Sequence, residues 1–236
     1  MTGAVIAIDG PSASGKSSTA RAVAEALGFS HLDSGALYRG VTLVALRELA
    51  RRDVEGPDPV GRLGPEAILR AAEDRGLMLQ PDGAGFTPYL DGEPVDAEIR
   101  SAEVTAQVSS ISAIPVIREW INSRLRATVR AGRDVVVDGR DIGTVVFPDA
   151  DLKIFLTATP EVRAGRRIAQ RGGEVDPQRV GAEAAALAAR DQADSGRAVA
   201  PLRRAEDAVA LDTTVLRFDD QVRAILDLAR PIFRGK

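Results

Sequence analysis

One stretch, GPSASGKSS at 10–18, constrains this 236-residue chain more than any other. A short apolar run, AVIAID at 4–9, precedes it and reads as a buried strand. After it, Ala20, Val23, Ala24 and Leu27 recur at one-face helical spacing, and Gly28 ends the pattern. Glycine, four residues, glycine, lysine and serine between a strand and a helix make a phosphate-binding loop. Backbone N–H groups of such a loop turn inward to form an anion-binding concavity, and the helix N-terminus adds positive potential. The candidate ATP-binding residues are therefore Gly10, Pro11, Ser12, Ala13, Ser14, Gly15, Lys16, Ser17 and Ser18. The 31 basic residues include only three lysines, Lys16, Lys153 and Lys236, so a lysine inside the loop is a pointed choice. A compact charge on a flexible stem can follow negative charge as it moves between phosphate oxygens, which a rigid guanidinium fork cannot. Lys16 is the candidate catalytic cation, and Ser17 the candidate ligand of Mg2+.

The loop identifies a user of nucleoside triphosphates, not a reaction. A GTPase would carry N-K-x-D, which the chain lacks, and a motor or transport ATPase would be longer. A small-molecule kinase needs a second anion site for its acceptor; a nucleotide-binding regulator does not. The net charge of −3 argues against a nucleic-acid partner. No apolar stretch approaches the roughly 20 residues that span a bilayer, and the N-terminus has no basic, secretory-type leader. With no cysteine, disulfides and thiolate metal sites are excluded, and a reducing, cytoplasmic setting is expected. The single histidine, His31, reads as structural.

Alternation of strand and helix organises most of the chain. Strands are expected at 4–9, 134–139, 152–156 and 208–212, the last as a core strand, a short strand and loop at 29–35, and helices at 36–49, 102–131 (broken near Pro115), from Thr159-Pro160-Glu161, from Asp176-Pro177 and at 218–229. Thr159 is expected to cap its helix. Continuous apolar strands joined by helices imply an α/β fold with a parallel sheet covered on both faces. The middle differs: a loop at 53–60, a helix at 65–74, then two turn-linked strands around Pro81-Asp82-Gly83 and Asp91-Gly92 read as an insertion.

The rest of the chain supplies the second anion site. LDSGALYR at 32–39 and DGRDIGTVVFP at 138–148 each fall at a strand's C-terminal end, where doubly wound sheets bind ligands. Asp33, Ser34, Tyr38, Arg39, Arg140 and Asp141 are suitable equipment for a phosphate and its sugar.

Together IAIDGPSASGKSS, LDSGALYR, DGRDIGTVVFPDADLKIFL and RDQADSGRAVAPL, in that order, resemble bacterial cytidylate kinases over 6–214. The resemblance implies a P-loop NTPase of the nucleoside monophosphate kinase fold: a five-stranded parallel sheet with helices on both faces, an inserted acceptor-binding subdomain and a lid. The core would be about 1–53 and 101–236, the insertion about 54–100 and the lid about 163–194. It implies transfer of the ATP γ-phosphoryl group to CMP or dCMP in pyrimidine nucleotide metabolism, by a monomer with ATP and Mg2+. Ser34, Arg39 and Arg140 would hold the acceptor phosphate, with Tyr38 lining the site. Ser109, Arg118 and Asp141 would read cytosine, and Asp194, beside Arg190 and Arg197, would hold the ribose. Arg163, Arg166, Arg167 and Arg171 would cover the phosphates, with Arg163 and Arg167 joining Lys16 and Arg140 as catalytic groups. Asp212-Thr213-Thr214 would lie near adenine. Relatives often have glycine at Ala13. Another small P-loop kinase, of adenylate or shikimate type, is the alternative.

Overall fold

Apolar runs become strands buried along their whole length. In the computed structural model, which describes residues 3–53, 59–130 and 132–233, β1 (Val5–Asp9) is buried at all five positions. So is β6 (Val135–Gly139). β1 pairs in parallel with β6 on one side and with β7 (Leu152–Thr157) on the other, and β8 (Val209–Asp212) pairs in parallel with β7. With β2 (Ser30–Asp33) outside β6, the order is β2-β6-β1-β7-β8. Such an arrangement requires crossover connections, which is why helices separate the strands.

Two helices close one face. α1 (Lys16–Leu27) contributes Ala20, Val23 and Ala24, and α9 (Phe218–Phe233) contributes Ile225, Leu226 and Ala229, against Ile6, Ile8, Val136, Ile154 and Leu156. Gly28, with φ of 70°, ends α1 in the left-handed conformation that glycine adopts without penalty. α7 (Pro160–Gln170) and α8 (Pro177–Ser195) follow β7.

Three local expectations change. The Thr159 hydroxyl does not cap α7; the Thr159 backbone N–H donates to Thr214 Oγ1 at 3.1 Å. Asp176 does cap α8, accepting from Arg179 N at 2.9 Å. β8 is the sheet's edge rather than a core strand, with Val209 40% exposed, because only β7 pairs with it in this unit. The last helix runs past 229 to Phe233, carrying Pro231 in its final turn, where it forfeits one helical N–H.

The chain divides into two compact units, Met1–Leu32 with Val129–Lys236, and Asp33–Thr128. The second unit holds α2 (Ser34–Arg51), α3 (Pro59–Leu63), α4 (Pro65–Asp74), strands β3 (Met78–Asp82), β4 (Gly85–Leu90) and β5 (Glu93–Pro94), α5 (Ala102–Ile111) and α6 (Pro115–Arg130). It thus contains the segment 54–100 and three flanking helices besides. β3 and β4 are antiparallel from Met78↔Tyr89 to Asp82↔Gly85, so Gly83 and Ala84 form the loop and β3 runs through Pro81 and Asp82, where a turn was expected. Asp91 and Gly92 turn β4 into β5 with φ of 56° and 81°, the positive pair a tight hairpin requires. Most of the expected loop at 53–60, and the end of the expected helix at Ala131, lie outside the described residues. No helix among the described residues is long and apolar enough to cross a membrane.

Candidate active site

The phosphate loop is shaped by contacts that exclude side chains. A Cβ on Gly10 would sit 2.1 Å from Leu156 O, and Gly15 has φ of 93°. Ala13 adopts φ of 58°, which explains why glycine suits this position; an L-residue there carries roughly 1–2 kcal/mol of strain. Lys16 is 5% exposed, and its Nζ donates to Pro11 O at 2.6 Å. Burial pushes its pKa well below the ordinary lysine value. The Arg140 charge pushes the same way, against the opposing pull of Asp138, Asp9 and Asp191. A buried ammonium beside a guanidinium is costly until an anion arrives.

A second set of groups lies at the ends of β1 and β6. Ser17 Oγ donates to Asp138 Oδ2 at 2.6 Å, and His31 Nε2 lies 2.7 Å from Asp138 Oδ1. Burial pushes the Asp138 carboxyl up, but the hydrogen bonds from His31 and Ser17 outweigh it and hold the group below its ordinary range. Asp9 accepts from Ile142 N at 2.8 Å and Gly143 N at 2.7 Å, where the chain after β6 makes a wide π-helical turn, Ile142–Val146. Burial raises the Asp9 pKa to about 6 despite those two N–H groups.

Ser12 is gripped at each polar group. Its N–H donates to Asp191 Oδ1 at 2.9 Å, its carbonyl accepts from Arg163 Nη1 at 2.9 Å, and its hydroxyl accepts from Arg140 Nη2 at 2.8 Å. Arg163 also pairs with Asp191 at 2.5 Å and donates to Ala158 O, so this arginine braces the loop from α7. Arg140 Nε and Arg197 Nη2 both bond Asp194, at 3.0 and 2.5 Å, joining three expected acceptor-site residues in one buried cluster. Asp141 is buried beyond β6, and Arg190 lies on α8. Arg166 is tied to Thr213, donating to its carbonyl at 2.6 Å and its hydroxyl at 2.9 Å, and Arg171 pairs with Glu183. Arg167 is half-buried, and its Nε finds no hydrogen-bond partner among the described residues. Burial and the neighbouring Arg171 push its pKa down.

The second unit gathers Tyr38, Ser109 and Arg118. The Arg118 guanidinium lies 5.2 Å from the Tyr38 ring centroid and donates to Ser112 O at 2.9 Å, while Ser112 Oγ donates to Ser109 O at 3.1 Å. Ser34 is buried at the start of α2, where Asp33 caps the helix by accepting from Gly35 N. Arg39 donates to Ile99 O at 3.2 Å and to Thr105 Oγ1 at 2.9 Å.

Sequence reasoning assigned no role to Asp9, Asp138 or Asp191. A usable signal existed for two of them: Asp9 and Asp138 end apolar strands of a parallel sheet, where ligands collect. Asp191 gave none.

Oxygen donors are what Mg2+ takes, usually few from protein and the rest from water and phosphate. The exposed Ser17 hydroxyl beside the Asp138 carboxylate fits that pattern, and no cluster of three or more His, Cys, Asp or Glu ligands occurs among the described residues.

Comparison with known proteins agrees with this chemistry. The cytidylate kinase family model matches residues 6–231. A cytidylate kinase of Streptomyces griseus subsp. griseus is 46% identical over 225 residues, 95% of this chain and 91% of that one. One of Rhodococcus opacus is 45% identical over 223 residues, 94% and 93% of the two chains. A solved gluconokinase structure from Sinorhizobium meliloti 1021 aligns over 100% of this chain and 98% of that one, with TM-score 0.41 and 19% identity, a likeness too distant to bear on function. A phosphate loop with its buried lysine, the four motifs in order and a near full-length family match lead to one conclusion: the chain belongs to the cytidylate kinase family.

Proposed function

We propose that this chain transfers the γ-phosphoryl group of ATP to CMP or dCMP, giving ADP and CDP or dCDP, as a cytoplasmic monomer. The observation that carries the reading is Lys16, an ammonium buried inside the phosphate loop with the Arg140 charge nearby. An oxygen of the acceptor phosphate attacks the γ-phosphorus as the bond to the β-phosphate oxygen breaks, and the β-phosphate leaves on ADP. The acceptor oxygen is already anionic, so no strong base is needed, and catalysis is positioning plus charge neutralisation.

Lys16 follows the charge as it shifts from γ- to β-phosphate. Ser17 and Asp138 would hold Mg2+, which when bound neutralises charge on the phosphates. Arg140 and Arg167 face the transferring group. Arg163 acts through Ser12, keeping the loop's shape, rather than on the phosphates directly. Arg118, stacked near Tyr38, and Ser109 address the acceptor edge of cytosine, and Asp141 accepts from its amino group. Asp194, with Arg190 and Arg197, takes the ribose hydroxyls; Ser34 and Arg39 take the acceptor phosphate. The segment at about 163–194 serves as the lid, excluding water that would otherwise hydrolyse ATP.

Phosphorus NMR of the enzyme with MgATP and CMP tests this. CDP and ADP should accumulate in equal amounts. ADP without CDP would make the chain an ATPase, and no turnover would favour a nucleotide-binding regulator.

A further inference from the structure

The one histidine of the chain lies against the group that holds Ser17. His31 is on β2, beside β6, and is 6% exposed; Asp138 is 3% exposed. His31 Nε2 is 2.7 Å from Asp138 Oδ1, and Ser17 Oγ is 2.6 Å from Asp138 Oδ2. A carboxylate only accepts, so both neighbours must donate: the imidazole carries its proton on Nε2, and the serine hydroxyl points its proton at Asp138. Ser17 itself is exposed, so its lone pairs are left facing outward.

We infer that His31 is a positioning residue for phosphoryl transfer: its Nε2–H fixes the Asp138 carboxylate so that Asp138 accepts the Ser17 hydroxyl hydrogen bond and the Ser17 oxygen is presented to the nucleotide-bound Mg2+. The inference rests on the kinase reading above. The physical argument runs through Asp138. A buried carboxylate is held in place by the donors around it. Without the His31 donor the Asp138 carboxylate would be free to rotate, and its Oδ2 would no longer be fixed where it accepts from Ser17. The same charge also supports the Lys16 ammonium, so His31 acts on both groups through one carboxylate.

A histidine that merely filled space would be replaceable by any side chain of similar volume. His31→Leu fills the space without a donor. His31→Gln keeps a donor at nearly the Nε2 position. The Mg2+ concentration giving half-maximal CMP phosphorylation should rise about tenfold or more in His31→Leu, the size of effect seen when a group orienting a metal ligand is lost. His31→Gln should restore it to within about threefold and melt close to the wild type, whereas His31→Leu, which strands one oxygen of a buried carboxylate, should melt lower. Because there is one histidine, ¹⁵N-histidine labelling gives one imidazole to watch. Its spectrum should show the proton on Nε2 and should move on adding MgADP beyond any change caused by ADP with a chelator. A wild-type Mg2+ dependence in His31→Leu would overturn the inference, as would a His31→Gln defect equal to that of His31→Leu. If His31→Leu does not fold, the spectrum decides: a proton on Nδ1 alone, or an imidazole indifferent to Mg2+, overturns it. Failure of the wild type to make CDP would instead strike the kinase reading, which the imidazole spectrum does not depend on.

Discussion

Lys16 and Asp9 are both charged groups kept from water, and each has a measurable consequence. Burial disfavours the Lys16 ammonium, so it contributes to function at the expense of stability. Lys16→Ala should lower kcat/KM several hundredfold, about 3–4 kcal/mol of transition-state stabilisation, without lowering the melting temperature. Near-normal turnover, or a large loss of thermal stability, would contradict this. For Asp9 the folded pKa of about 6 lies above the ordinary value of 3.8. The folded state therefore binds this proton more tightly than the unfolded state does. Its contribution to stability is greatest below pH 3.8 and is lost as pH rises through 6, an effect of about 3 kcal/mol. Urea unfolding of the wild type and Asp9→Asn without nucleotide should show the variant gaining on the wild type by about 2–3 kcal/mol from pH 4.5 to 7.5. A constant gap would mean that Asp9 titrates normally. The role of Lys16 is legible in the sequence because its partners are in its own loop. Those of Asp9 and Asp138 are not, because the atoms that tune them are 133 and 134 residues away for Asp9, and 121 and 107 for Asp138.

α7 shows how one helix can place two arginines in different roles. Arg163 and Arg167 are one turn apart, and sequence alone gave them the same task. The helix buries Arg163 against Ala158, Ser12 and Asp191, whereas Arg167 keeps a buried Nε without a partner among the described residues. Arg163→Ala leaves Asp191 and the Ser12 carbonyl short of a cation, so it should destabilise the protein by about 3 kcal/mol or more and weaken ATP binding. Arg167→Ala should leave the melting temperature nearly unchanged and lower kcat by about a hundredfold or more. Thermal melts and steady-state kinetics of the two variants check the contrast, and equal effects on both quantities would contradict it. Helix starts were well read from Pro160 and Pro177, since proline at the first position acts locally. Whether a capping residue uses its side chain was not: Asp176 does, while Thr159 does not, and only its backbone N–H reaches Thr214, 55 residues on.

At the scale of the whole molecule, the parallel pairing of β6, β1, β7 and β8 follows from apolar runs and crossover helices, which is why the parallel sheet was legible, though its strand order was not. Exposure of β8 was not, because AVALD reads as a buried strand whether or not a neighbour covers it. The pairing of α2 with α6 was equally hidden: both look like any other helices until Arg118 is set 5.2 Å from the Tyr38 ring centroid. The central claim is that this kinase reads cytosine. Cytosine offers an amino donor beside two acceptors, whereas uracil would set a carbonyl oxygen against a carboxylate. The most direct measurement is kcat/KM for CMP, dCMP, UMP, AMP and GMP in an assay coupled to ADP release. The account predicts that CMP and dCMP exceed AMP and GMP by at least about a hundredfold, about 2.7 kcal/mol, with UMP below CMP. Comparable values for AMP and CMP would contradict it and point to an adenylate-type kinase.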